Sequence, residues 1–173
     1  MRVVHTGDLT LEPQTAGHAA QMFAVLSDPA IYEYENAPPR SPEWLRERFA
    51  RLESRCSPDG QEEWLNWVVR LPTAALAGYV QATVHADGGA AIAYELASAY
   101  WGRGIARNAV RAMIGELLEH HGVHTVHAVL KRRNERSRRL LERLGFSAAP
   151  AELRSRRGVK PDELMMHRDA RAP

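Results

Sequence analysis

Residues 91–107 read AIAYELASAYWGRGIAR. The first seven have the make-up of a strand. Two glycines then flank Arg103, just before a long amphipathic stretch. Glycine inside a helix costs about 1 kcal/mol relative to alanine, so Gly102 and Gly104 must be repaid locally. Either the backbone needs a turn there or a ligand comes close. A helix N-terminus leaves backbone N–H groups unpaired and carries a partial positive charge. With no Cβ at two positions, a phosphate reaches those amides, and Arg103 and Arg107 add charge at the same end. A diphosphate is the natural guest. The spacing is neither GxGxxG nor GxxxxGK[ST]. Taken alone, a plain turn before a helix explains the junction equally well.

Working outward, the spacing predicts a helix from 105 to 121, with Ala106, Val110, Met113, Ile114, Leu117, Leu118 and His121 along one stripe and Gly122 ending it. VHTVHAVL (123–130) reads as a strand. Asn134 caps a short helix with Leu140, Leu141 and Leu144 inward, closed by Gly145. ELMMHR (163–168) reads as a last strand, and RDARAP (168–173) as a loose tail. Upstream, LAGYVQATVHA (76–86) alternates, with Tyr79, Gln81, Thr83 and His85 on its polar face; DGG (87–89) is its hairpin turn. WLNWVVRL (64–71) places Leu65, Trp67, Val69 and Leu71 on one face and Trp64 with Asn66 on the other. Ser41-Pro42 starts a helix carrying Leu45, Phe49 and Leu52, and SPDG (57–60) ends it. Ala19, Phe23 and Leu26 mark a helix over 15–26, and LTLEP (9–13) a first strand. The order β-α-α-β-β-β-α-β-α-β predicts an α/β chain of the α+β type: one domain over 1–173, built on an antiparallel meander flanked by helices.

Composition bounds the function. A chain of 173 residues, 45% hydrophobic and 25% charged, has the make-up of a soluble globular protein that buries a core. No apolar run nears the roughly 20 residues that span a bilayer, and MRVVHTGDLTLEP has no signal-peptide core. The single cysteine, Cys56, excludes an intrachain disulfide and a cysteine-based zinc cluster; a cytoplasmic location and no metal are expected. Net charge is +2, yet KRRNERSRRLLER (131–143) holds seven basic and two acidic residues. Such a cluster suits phosphate, on a nucleic acid or a nucleotide, or is simply a solvated helix face.

YELASAYWGRGIARNAVRAM (94–113) resembles the acetyl-CoA signature of the GNAT N-acetyltransferase superfamily, Gln/Arg-x-x-Gly-x-Gly/Ala, here Trp101-Gly102-Arg103-Gly104-Ile105-Ala106. The tryptophan is similar to the wording of the RimJ/RimL-type branch. So are Asn134-Glu-Arg-Ser137, then Leu144-Gly145-Phe146, and the GDLTLEP and ALAGYVQATV strands, though Glu12 stands where an arginine is usual. The resemblance covers nearly the whole chain. It implies acetyl transfer from acetyl-CoA to an amine, on a small molecule or a protein N-terminus, by a monomer or homodimer. It also implies a sheet splayed between strands 91–97 and 123–130. Backbone amides at Leu96 and Ala97 would meet the pantetheine arm, amides over Trp101–Arg107 the diphosphate, and Asn134 the pantetheine. Charge and position add Arg138 and Arg139 as partners of the adenosine 3′-phosphate.

For the departing thiolate, the tyrosine used by many members falls at Leu141 here, whereas RimL-like members use the serine of Asn-x-x-Ser, which is Ser137. The same hydroxyl also suits a helix-terminal hydrogen bond. Glu95 is the candidate base, facing opposite to Tyr94 and Leu96; His127 and His85 are strand histidines that also suit structural roles. The glutamate position of RimL-type members falls in RSRR (154–157), so no base transfers by resemblance. Tyr32, Glu33, Tyr34 and Glu35 form a loop expected to wall the acceptor site. Two other readings stay open: a CoA-binding protein without catalysis, and an RNA- or ribosome-binding module using the arginines, although no recognised RNA motif is present.

Overall fold

The computed structural model describes residues 1–34 and 36–169. Eight strands form one sheet: β1 (Val4–Thr6), β2 (Leu9–Pro13), β3 (Glu62–Arg70), β4 (Leu76–His85), β5 (Gly89–Leu96), β6 (Thr125–Lys131), β7 (Ser147–Ala148) and β8 (Glu163–Asp169), in the order β1-β2-β3-β4-β5-β6-β8-β7. Five helices flank it: α1 (Ala19–Leu26), α2 (Pro42–Leu52), α3 (Ile105–His120), α4 (Glu135–Glu142) and α5 (Ala151–Arg156). Every pairing is antiparallel except β5–β6. That parallel pair is brief: Gly89–Thr125, Ala90–Val126 and Ala91–His127. Beyond it β5 runs on to Leu96 and β6 to Lys131 with no shared ladder, so the sheet splits as expected.

Cores pack on both faces of the sheet. Leu65, Trp67 and Val69 point to one face with Val110, Met113, Leu117 and Leu141 from α3 and α4. Val68 points to the other with Ala19, Met22, Leu45 and Phe49 from α1 and α2. The period-2 pattern of β3 thus serves two cores. Trp67 is fully buried, and its indole N–H donates to the Arg2 carbonyl at 3.0 Å.

The differences from the sequence reading are local. β1, β7 and α5 are three, two and six residues long, too short for a periodic signal, and α5 is written in the arginine-rich 151–156. α1 follows a 3-10 turn at Ala16–His18 and buries Met22 rather than Phe23; the two lie on adjacent parts of one face. His121 leaves the predicted stripe: its Nδ1 meets a Glu63 carboxylate oxygen at 2.8 Å, beyond the end of α3. Glu12, the departure from the family's arginine, accepts Arg70 Nε at 2.6 Å and Nη2 at 2.8 Å on the neighbouring strand. β8 reaches Asp169, opposite Thr125, so Arg168 and Asp169 belong to the sheet, not to a tail; the rest of that predicted tail lies outside the described residues.

Candidate active site

Gly102 and Gly104 have φ of 75° and 78°. A Cβ built on either would meet nothing within 4 Å, so both the backbone conformation and an open approach call for glycine here. Gly104 is the N-cap of α3 and no side chain caps it, unlike α2, capped by Ser41, and α4, capped by Asn134. The first intrahelical bond is Asn108 N–H to Gly104 O at 3.0 Å, so the amides of Ile105, Ala106 and Arg107 precede the helix ladder. Arg103 and Arg107 are exposed beside them. Trp101 closes the loop: its Nε1 donates to Leu96 O at 2.8 Å, and the Arg136 guanidinium lies 3.5 Å from its ring centroid. This open, uncapped amide cluster suits an anion such as a diphosphate.

The split offers the next donors. Ala97 N–H donates to Ala77 O at 2.9 Å, toward β4. In an antiparallel ladder donors alternate sides, so the N–H groups of Tyr94 and Leu96 point toward the split. The expected pair of amides at Leu96 and Ala97 is therefore corrected: Ala97 has its N–H engaged by β4 and its carbonyl by Tyr100 N–H. Asn134 Oδ1 accepts Ser137 N–H at 3.1 Å, which leaves its amide hydrogens for a ligand. Arg138 is paired with Glu135 at 2.7 Å and Glu142 at 3.7 Å, whereas Arg139 is exposed.

Asn134 and Ser137 also line a cavity of about 420 Å³ that runs from the split across the α1–α2 face of the sheet. Ser137 Oγ and the Tyr94 hydroxyl lie 2.7 Å apart. Burial pushes the Tyr94 phenol up to about 12, against the pull of its bond to Ser137, so it stays protonated at neutral pH. Leu141, at the family's tyrosine position, is buried in the core. Among the described residues, Glu95 is the only carboxylate lining the cavity. Its Oε1 accepts Asn36 Nδ2 at 3.1 Å. Asn36 has φ of 67°, a conformation asparagine tolerates, and it joins the loop before α2 to β5. Burial first, then the Glu95 charge, holds the Tyr79 phenol well above its ordinary value, and a hydrogen bond to Glu95 adds to this.

His127 and His85 stack at 6.0 Å on the same sheet face but outside the cavity lining. Burial lowers His127 to about 4, with Arg157 and His85 adding to the effect. Trp64 stays out too, its Nε1 donating to Glu62 at 3.1 Å, while its face-mate Asn66 is buried in the cavity wall. The expected acidic wall is not formed by Glu33, whose carboxylate faces Arg136 at 3.8 Å; Glu35 lies outside the described residues. Tyr32 and Tyr34 do line the cavity. Sequence reasoning passed over Gln14, Asn36 and Arg48, which also line it. Only Gln14 carried a signal, a polar residue directly after a buried strand.

The model of the acetyltransferase (GNAT) domain matches residues 8–147, and the chain belongs to that family. It is an N-acetyltransferase by that membership, and the family uses acetyl-CoA. Solved structures agree in fold. RimL, a ribosomal L7/L12 alpha-N-protein acetyltransferase in complex with coenzyme A, is 15% identical with a TM-score of 0.82, over 97% of this chain and 98% of that one. The ribosomal-protein-S5-alanine acetyltransferase from Vibrio fischeri is 19% identical, TM-score 0.77, over all of both chains. A chimera of the spermidine N-acetyltransferase SpeG from Vibrio cholerae is 20% identical, TM-score 0.76, over 95% and 96%. The first two agree with the RimJ/RimL-like resemblance. No helix among the described residues is long and apolar enough to cross a membrane.

Proposed function

We propose that the chain, acting as one domain in the cytoplasm, acetylates a primary amine by direct attack while acetyl-CoA and the acceptor share the cleft. Acetyl-CoA supplies the activated acetyl thioester. The observation that carries the reading is the meeting, in one cavity at the split, of Glu95, the Tyr94–Ser137 hydroxyl pair and Asn134. Amides of Gly102–Arg107 hold the diphosphate, Trp101 braces their loop, Arg139 attracts the 3′-phosphate, and the Leu96 N–H and Asn134 amide hold the pantetheine arm. Glu95 Oε, directly or through water, takes the proton that the amine must lose. Ser137 Oγ gives a proton to the sulphur as coenzyme A leaves, the Tyr94 hydroxyl orients Ser137 while staying protonated, and solvent returns the proton to Ser137 as Glu95 releases the one taken from the amine. Holding both substrates in one cleft supplies much of the acceleration. Protein N-termini and small polyamines, the acceptors named for the structural neighbours, are the first to test. Acceptor-dependent release of free thiol from acetyl-CoA, lost in Glu95→Gln and lowered in Ser137→Ala, is the expected result. A chain stabilised by CoA that turns over no amine would instead be a binder alone.

A further inference from the structure

Gln14 follows β2 directly, and its backbone is fixed on both sides. Its N–H donates to Asn66 O at 2.9 Å, and its carbonyl accepts from the Arg55 guanidinium. The residue is 2% exposed and lines the cavity, yet Nε2 has no hydrogen-bond partner among the described residues. A buried donor without a partner is costly, and proteins keep few of them. The register sets its place. Asn66 pairs with Gln81, and Gln81 with Ala93, so Gln14, Asn66, Gln81 and Ala93 form one row from the far strand to the split. Three strand spacings are about 14 Å. With the side chain reaching inward, Nε2 lies on the order of 10 Å from the reacting end.

Charge completes the picture. Glu95, on the split side, is the only carboxylate in the lining among the described residues, and it suits one ammonium. The far end holds carboxamides, and Arg55 grips Gln14 from behind. A second cationic nitrogen there would bring N–H against N–H and positive charge against positive charge. An oxygen would instead accept from Nε2.

We propose that Gln14 Nε2 is a specificity-determining donor for the acceptor. It binds a carbonyl, carboxylate or hydroxyl oxygen carried on the order of 10 Å from the reacting amine, and so selects elongated, oxygen-bearing amines over alkylamines and polyamines of equal length. This rests on the acetyltransferase reading above.

The test is kcat/KM, by thiol release, for triglycine amide, octylamine and spermidine. The unmodified chain prefers triglycine amide. Gln14→Met, which keeps length and loses the donor, lowers that acceptor about tenfold and leaves octylamine within about twofold, with the acetyl-CoA stabilisation unchanged. Gln14→Glu, which turns the donor into an acceptor, lowers triglycine amide further and raises spermidine. This second variant carries the test if Gln14→Met fails to fold. Equal losses for all three acceptors, no loss in either variant, or a parental preference for spermidine overturns the inference while leaving acetyl transfer standing. An unmodified chain that acetylates none of the three overturns the functional reading, and this inference with it.

Discussion

Two positive-φ glycine sites flank the cleft, and they differ in what surrounds them. At the start of α3, a Cβ on Gly102 or Gly104 would meet nothing within 4 Å. At Gly78, φ 157°, it would fall 2.0 Å from the Glu95 carbonyl and 2.6 Å from Leu96 Cα. The first site keeps space over a set of amides. The second lets β4 press against β5 at the residue that carries the candidate base. Glycine thus works by openness at the start of α3 and by close packing where β4 meets β5, and substitutions at the two should fail differently.

The largest effect is expected at the open site. Gly104→Val should abolish stabilisation by acetyl-CoA, which for the unmodified chain at a hundred times Kd is about 2.7 kcal/mol. A β-branched residue also strains the left-handed conformation, so the Tm without ligand will drop. Gly104→Asn tolerates that conformation and isolates the steric effect. Normal acetyl-CoA binding by a folded Gly104→Asn or Gly104→Val would break the comparison, because the openness would then serve no phosphate.

Gly78→Ala should act the other way. It is expected to cost about 2 kcal/mol or more in stability through overpacking, to lower kcat by displacing Glu95, and to leave CoA binding by the folded fraction intact. An unfolding midpoint equal to that of the parent would sink the close-packing account.

Ser137→Ala sharpens the contrast at the split. Turnover should fall about ten- to a hundredfold, the low end for a general acid, with little change in acetyl-CoA affinity. Tyr94→Phe should fall less, about fivefold, since it loses one neutral hydrogen bond. A Ser137→Ala chain that melts earlier but turns over normally would leave the hydroxyl with a helix-end role.

His127 provides a control below the cleft. Its imidazole titrates near 6.5 when unfolded and near 4 in the fold, chiefly through burial. Between those values the unfolded chain binds the extra proton, so stability is full above pH 6.5 and declines as pH falls toward 4. The decline should be on the order of 1–2 kcal/mol, and His127→Gln should flatten it in melting curves. Were the pH profile of kcat to move as well, His127 would belong to the chemistry. Smallest of all, Arg139→Ala should weaken acetyl-CoA by less than about fivefold, in a salt-dependent way, and Arg138→Ala by less still, because Arg138 already sits between Glu135 and Glu142.

The two ends of the cleft were not equally legible in the sequence. The cofactor end is written in consecutive residues: a strand, two glycines and a helix start, then Asn134 and Ser137 one turn apart. Local spacing carries the motifs of such a site, and the family resemblance built on them implied the split between β5 and β6. The acceptor end is assembled by the sheet. Gln14, Gln81 and Glu95 lie far apart along the chain and meet only through register. Phe23 was preferred to Met22 because both fit a 3.6-residue period. Ala97 was grouped with Leu96 because a sequence does not show which side of a strand each N–H faces.

The early end of the β5–β6 ladder has a consequence for amide hydrogen exchange. Along residues 93–97 alternate N–H groups lie toward β4 or toward the split, as Ala97 bonded to Ala77 O shows. The strand should therefore exchange with solvent deuterium as a comb. Ala93, Glu95 and Ala97 would be slow, and Tyr94 and Leu96 fast, in a strand whose Leu96 side chain is buried. Occupation of the split by the pantetheine arm should slow the fast teeth and leave the slow ones unchanged, giving a residue-level record of cofactor docking that needs no turnover.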